Sequence, residues 1–163
     1  MKKILLLLCF AGLWANAEYA KACVKGNASA CSNLGKTYEN APVGLRDNAA
    51  VQDAYKMACE LKDANSCYKV GHMYHEYLYY EGVKADRAAA AKFYKKACDL
   101  GDGNGCSGLG MMYIEGIYVE QNYSKAVELY EKACDLGVAA SCVKTAKLYT
   151  DGEIVEQNYS KVV

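Results

Sequence analysis

Four copies of one cysteine-containing pattern run along the sequence. Each copy reads Tyr-x-x-Ala-Cys, and a second cysteine follows the first after eight residues. The first cysteines of successive copies are 36, 39 and 36 residues apart. A period of this length is typical of solenoids, in which two-helix units stack and each unit packs against its neighbours only. The repeat therefore predicts an all-α protein, an α/α solenoid, in place of a single globular core.

The spacing within each cysteine pair predicts a local disulfide. Residues eight apart in one helix are separated by about 12 Å, whereas a disulfide tolerates at most about 7 Å between Cα atoms. Each pair must therefore span a chain reversal, and Gly101 and Gly137 lie where a helix would end. The spacing does not match that of zinc ligands, so we expect neither a metal nor a cofactor. The predicted disulfides are Cys23–Cys31, Cys59–Cys67, Cys98–Cys106 and Cys134–Cys142.

The N-terminus has the features of a secretory signal peptide. Two lysines precede an apolar run of 11 residues, from Ile4 to Trp14, and the small-x-small sequence Ala15-Asn16-Ala17 follows it. The run is shorter than the roughly 20 residues that a membrane-spanning helix needs. We therefore expect residues 1–17 to be removed from a secreted or periplasmic protein that does not span the membrane. Cleavage would leave eight cysteines, an even number that suits a disulfide framework.

The repeat divides residues 18–163 into two-helix units. We expect a helix remnant at residues 18–25, repeats at about 28–63, 64–102 and 103–138, and a partial repeat at 139–163. The last unit stops before its second helix would be complete. We therefore expect one of two outcomes: the C-terminus frays, because no helix caps the stack, or the gene product is truncated.

Each unit is predicted to contain a first helix, called helix A, and a second helix, called helix B. Helix A is expected to open at the second cysteine, with a small residue at +4 that allows another helix to approach closely. In the third unit this residue is Gly110. Helix B carries tyrosine and alanine at helical spacing, which predicts a core-facing stripe. The predicted N-caps of helix B are Asp47, Asp86, Asn122 and Asn158.

The second unit carries an insertion. From Tyr74 to the predicted cap Asp86 the distance is 12 residues, whereas the other units have nine. Two interpretations are open. Helix A is longer by about one turn, or the extra tyrosines at residues 77–80 form an aromatic contact surface.

Charge composition bears on the possible partners. The chain has 19 basic and 19 acidic residues and no basic block. A nucleic-acid partner would require a concentration of lysine and arginine to track the phosphates. We therefore expect no nucleic acid, and we expect the chain to be a monomer.

The repeat resembles the Sel-one-like repeat, a relative of the tetratricopeptide repeat. The added disulfide in every unit and the signal peptide make the chain similar to the Helicobacter cysteine-rich proteins. The sequence departs from the pattern at Lys62, where a turn glycine is expected, and at Ala146, where helix A usually has glycine. The residues that carry the resemblance are Leu109, Gly110, Tyr113, Asn122, Lys125, Ala126, Tyr130, Lys132, Ala133 and Cys134.

The resemblance implies a right-handed superhelix with one disulfide per hairpin. It also implies that the protein binds penicillin-type compounds and hydrolyses them slowly, as a secreted or periplasmic β-lactamase. The alternative is a scaffold without enzymatic activity that binds a protein or peptide, including host molecules.

The sequence offers two weak candidates for lactamase chemistry. A serine lactamase needs a serine with a lysine three residues later. Ser66 precedes Lys69 in this way, and Ser141 precedes Lys144. The structural interpretation is that both serines are helix N-caps and both lysines are solvated. No Ser-Asp-Asn element is present in the sequence, so whether the protein is an enzyme stays open.

A binding groove is the other functional prediction. We expect a concave surface that accepts a peptide, a protein, or a ligand resembling a β-lactam or peptidoglycan. Solenoids commonly use such surfaces, and paired methionines suit adaptable contacts. The resemblance implies that helix A lines this surface, with Lys36, Thr37, His72, Met73, Met111 and Met112 as the expected lining residues.

Overall fold

The computed structural model describes residues 16–42, 45–76, 83–116 and 118–150. Within these ranges it contains eight α-helices and no strand. The first helix, α1, comprises residues 16–24 of the described chain. The others are α2 (Ala28–Glu39), α3 (Asn48–Glu60), α4 (Ala64–His75), α5 (Arg87–Asp99), α6 (Gly103–Glu115), α7 (Tyr123–Asp135) and α8 (Ala139–Thr150).

The helices alternate between the two types that the repeat predicts. Helices α2, α4, α6 and α8 carry the second cysteine and are A helices, while α3, α5 and α7 carry the first cysteine and are B helices. Successive helices along the chain pack against each other, and α4 also contacts α6. The fold is therefore an α/α solenoid, as predicted.

One disulfide fastens each turn between helices, as the spacing predicts. Cys23 is bonded to Cys31, Cys59 to Cys67, Cys98 to Cys106 and Cys134 to Cys142. The Cα atoms of the paired residues are 4.5 to 4.8 Å apart. Disulfides of this number are typical of proteins that fold outside the reducing cytosol.

The turns beside the disulfides share one backbone geometry. In the last of them, the Gly137 N–H donates to the Cys134 carbonyl and the Val138 N–H to the Ala133 carbonyl, which is a Schellman motif. The left-handed residue of this motif has a positive φ at Gly101 and Gly137, as predicted, and also at Gly26. At the equivalent turn Lys62 adopts the same conformation, with φ of 68°.

The N-terminal boundaries of the A helices differ from the prediction. These helices do not open at the cysteine but three residues earlier, for example at Ala64 in α4. The reason is the preceding side chain, because the Asp63 carboxylate accepts a hydrogen bond from the Ser66 backbone N–H. Asn27 and Asp102 cap α2 and α6 in the same way.

The predicted N-caps of the B helices are confirmed where the structure describes them. Asp47, Asp86 and Asn122 each accept a hydrogen bond from a backbone N–H in the first turn of α3, α5 and α7. Asn158 lies outside the described residues, as does the C-terminal segment that was expected to fray.

The insertion after Tyr74 does not lengthen the second A helix by a turn, so the first of the two interpretations is wrong. Helix α4 ends at His75 and has 12 residues, the same length as α2, and Glu76 is its C-cap. The tyrosines of the alternative interpretation belong to residues 77–82, which lie outside the described ranges.

The B-helix tyrosines form the centre of the core. Tyr55, Tyr94 and Tyr130 are each at most 2% exposed. Each ring packs on the +4 glycine of helix A in its own repeat. A Cβ atom built on Gly35 or Gly71 would lie 2.7 Å from the nearest ring carbon. The predicted close approach at these small residues is therefore confirmed.

We expect Lys62→Gly to stabilise the fold. A residue other than glycine in the left-handed region costs about 1–2 kcal/mol, and the extra freedom of glycine in the unfolded chain offsets about 0.4–1 kcal/mol. The expected gain in free energy of unfolding is about 0.5–1 kcal/mol, measured by urea denaturation with the disulfides intact. The matched variant Gly101→Lys should change the free energy in the opposite direction. A loss of stability in Lys62→Gly would contradict this account.

Candidate functional site

The two serine candidates lie at a buried position of helix A. Ser66 and Ser141 are both fully buried, and each is the third residue of its helix, so neither is the predicted N-cap. The same repeat position, immediately before the second cysteine, holds Ala30 and Gly105, which are also buried. The position requires a small side chain because the start of helix A packs closely against the end of the preceding B helix.

The hydrogen bonding and burial of the two serine hydroxyl groups bear on whether either can act as a nucleophile. Ser66 Oγ donates a hydrogen bond to Ser32 Oγ at 3.3 Å. Ser141 Oγ has no hydrogen-bond partner among the described residues. A nucleophile must reach its substrate, and a fully buried hydroxyl does not. The geometry therefore gives no support to attack by either serine.

Lys69 belongs to a charged cluster. It is therefore not freely solvated, in contrast to the prediction from the sequence. Its Nζ donates to Glu39 Oε2 at 2.6 Å and lies 5.0 Å from the centre of the Tyr55 ring. The Tyr55 hydroxyl donates to the same carboxylate oxygen at 2.7 Å. Burial alone would raise the pKa of Glu39. The two hydrogen bonds and the charges of Lys69 and Arg46 together have the larger effect, so the pKa lies below its ordinary value.

Lys144 occupies the corresponding position in the last A helix. Its Nζ lies 5.1 Å from the centre of the Tyr130 ring, a distance at which the ring attracts a cation. Burial and the charge of Glu115 raise the pKa of Tyr130 to about 12. Both lysine candidates therefore cover the B-helix tyrosine of the preceding repeat.

The A-helix surface differs in part from the predicted groove. Met73 and Met112 are at most 1% exposed and belong to the core, so their assignment to the surface is wrong. In α4 and α6, helix packing turns the +6 position inward and the +5 position outward. Accordingly His72 and Met111, both at +5, are partly exposed. In α2, Lys36 at +5 is exposed and Thr37 at +6 is partly exposed.

A cavity of about 210 Å³ lies on this A-helix surface. It is bordered by α4, α6 and α8, three successive A helices, so it lies across repeats. Burial lowers the pKa of His72, which favours the neutral imidazole, and burial together with the charge of Asp102 raises the pKa of Tyr68. Among the residues that line this cavity are Tyr68, His72, His75, Glu76, Gly108 and Lys144.

A second cavity, of about 480 Å³, lies between the B helices α5 and α7. Its apolar part includes Leu109, Tyr113 and Leu129. The sequence analysis did not predict this cavity. The signal that could have indicated it is the presence of at least two lysines on each of the helices α5 and α7. The lysines at its border are Lys92, Lys95, Lys125 and Lys132, accompanied by the acids Asp99 and Glu128.

Neither a metal site nor a membrane span is found in the described part of the chain. Residues 16–42, 45–76, 83–116 and 118–150 contain no group of three or more potential metal ligands. No helix in these ranges combines the length and the apolar character that crossing a bilayer requires.

Comparison with known families decides the family. A family model named Sel1 repeat matches residues 64–102, 104–138 and 139–161. The chain belongs to the Sel1 repeat family. Before the matched residues, α2 and α3 form a further helical hairpin, and a disulfide lies at the turn on either side of it.

Solved structures with Sel1 repeats agree with this assignment. Cysteine-rich protein B (HcpB) of Helicobacter pylori is 32% identical, with a TM-score of 0.62 over 81% of this chain and 92% of that one. A Sel1 repeat protein of Oxalobacter formigenes is 25% identical, with a TM-score of 0.70 over 80% of this chain and 96% of that one. The similarity to the cysteine-rich proteins is thereby confirmed.

A third similar structure is longer. The protein c5321, a protective antigen of uropathogenic Escherichia coli strains, is 31% identical with a TM-score of 0.74. The match covers 82% of this chain and 28% of that one. Comparison with curated proteins gives no match.

The Glu39 cluster should make stability depend on pH. A carboxylate with a lowered pKa stabilises the fold above its unfolded pKa, near 4.5, and this contribution is lost as the pH falls through the folded value. We expect Glu39→Gln to lower the free energy of unfolding by about 1–2 kcal/mol at pH 7.

The difference between the two proteins should shrink as the pH falls below about 4.5, because Glu39 is protonated there in the unfolded chain and, at lower pH, in the folded chain as well. Urea denaturation at pH 7, 5, 4 and 3 measures it. Asp53→Asn, a change at an exposed acid of α3, is the control. A constant difference across this range would show that the Glu39 charge does not contribute.

Proposed function

We propose that this protein is an exported scaffold that binds a peptide or protein segment on its A-helix surface. The observation that supports this proposal is the cavity across α4, α6 and α8. It offers partly buried aromatic and methionine side chains from α4 and α6, and charged side chains that include the exposed Lys144 of α8. A surface of this composition is typical of recognition sites. Sel1 repeat proteins generally act as scaffolds for protein interactions, which supports the proposal.

Export is part of this proposal. The signal-like sequence at residues 1–17 would direct the chain out of the cytosol, and the four disulfides suit an oxidising compartment. N-terminal sequencing of protein recovered from the periplasm or medium should begin at Glu18. A chain that is recovered from the cytosol only, beginning at Met1, would contradict export.

The binding proposal can be tested with a phage-displayed random peptide library panned on the oxidised protein. We expect selected peptides to lose about tenfold in affinity on Met111→Glu, because a charge replaces a partly buried contact on the A-helix surface. The matched control is Met57→Glu on the B helix α3, which should leave affinity unchanged. Equal effects of the two substitutions, or no selected peptide, would contradict the proposal.

A second candidate function is the binding of small anions with an apolar body. The cavity between α5 and α7 combines an apolar interior with four lysines and two acids at its border. Its volume falls in the range of small-molecule sites. A penicillin has this chemistry, so β-lactam binding, which the family resemblance implies, fits this cavity better than the buried serines.

Calorimetric titration with benzylpenicillin tests this candidate. We expect binding to weaken at least fivefold in the double variant Lys92→Met and Lys132→Met, because two ammonium groups are removed from the border of the cavity. Ser66→Ala and Ser141→Ala should bind as the wild type does. Loss of binding in a serine variant, with the fold intact, would return the assignment to the serines.

A further inference from the structure

The three B-helix tyrosines are not covered in the same way by the following repeat. The covering residue lies two positions after the second cysteine. It is Lys69 over Tyr55, and Lys144 over Tyr130, each with its Nζ 5.0 or 5.1 Å from the ring centre. Over Tyr94 the same position holds Gly108. The middle junction therefore lacks the ammonium group that both neighbouring junctions possess.

The missing side chain coincides with the cavity on the A-helix surface. Gly108 lines this cavity, and Tyr68 and His72 contribute aromatic rings to it, with 5.9 Å between their centroids. The volume of about 210 Å³ gives room for one long side chain. The cavity thus lies where the repeat would otherwise place its own lysine.

The charges around the middle junction also differ from those at the first. At the first junction Lys69 neutralises Glu39 at 2.6 Å. At the middle junction the position of Glu39 is taken by His75, which is 10% exposed. His75 lies between two carboxylates, with Nδ1 3.2 Å from Glu76 Oε1 and Nε2 4.0 Å from Glu115 Oε2.

One buried polar atom at this junction lacks a well-formed hydrogen bond. His75 Nδ1 is buried and has no well-formed hydrogen bond to any residue of the described ranges. Glu76 is one of the residues that line the cavity. Lys144, the cation that borders the same cavity, lies over the Tyr130 ring. An added donor with a positive charge would pair with the negatively charged Glu76 and would be attracted by the adjacent aromatic rings.

We propose that this cavity binds the ammonium group of a lysine side chain from the partner, in the place that the repeat fills with its own lysine at the other two junctions. The inference rests on the proposed function, because it specifies the chemistry of a peptide bound on the A-helix surface. Glu76 accepts hydrogen bonds from the ammonium group, and Tyr68 and His72 contact its methylene stem.

Two blocked tripeptides test the inference, Ala-Lys-Ala and its uncharged counterpart Ala-norleucine-Ala. They are titrated into the full oxidised chain and followed by NMR. We expect Ala-Lys-Ala to bind at least fivefold more tightly, with the largest amide shifts at Gly108 and Glu76. Equal affinity of the two tripeptides, or shifts that avoid this cavity, would overturn the inference.

Charge-removing variants locate the contact. Glu76→Gln should reduce the preference for lysine over norleucine at least fivefold, since the side chain keeps its size and loses its charge. The matched control Glu60→Gln, at an exposed acid of α3 that lines neither cavity, should retain the preference. An unchanged preference in Glu76→Gln would count against the proposed contact.

The lysine inference and the scaffold proposal can fail independently of each other. If library-selected peptides bind the A-helix surface but tolerate replacement of lysine by norleucine, the lysine inference fails and the scaffold proposal stands. If Ala-Lys-Ala binds in the cavity while the library yields no peptide, the scaffold proposal fails and the cation site stands.

Discussion

The packing of one tyrosine per repeat is the contact on which the rest of the structure depends. Each of Tyr55, Tyr94 and Tyr130 is buried between the A helix of its own repeat and the A helix of the next. A glycine in the first of these helices permits the contact, because even a methyl group on Gly71 would overlap the Tyr94 ring. The tyrosine thus joins neighbouring repeats, and the residue that covers it shapes the exposed A-helix surface.

The disulfides act on a different part of the same unit. Each closes a loop of about nine residues around a Schellman turn, which corresponds to about 2.5 kcal/mol in the chain-entropy description of disulfides. They fix the end of one B helix to the start of the next A helix. Local fastening of the turns and tyrosine packing along the stack together compensate for the small core of each repeat.

Much of this architecture could be predicted because it is local in sequence. The period, the Cys98–Cys106 type of pairing and the capping by Asp86 follow from helix geometry and turn chemistry alone. The inward direction of Met73 could not be predicted, since the rotation of a helix about its axis is set by its neighbours in space. For the same reason Ser66 could not be distinguished in sequence from an accessible nucleophile, and the cavity between α5 and α7 was missed.

The central claim is that a B-helix tyrosine couples the repeats on both sides of it. Amide hydrogen exchange of Tyr94→Ala, measured by mass spectrometry on the oxidised protein, tests this most directly. The account predicts lost protection in α4 and in α6 alike, because both helices contact this ring through Gly71 and Gly108. Loss of protection confined to α5, with α4 and α6 exchanging as in the wild type, would contradict it.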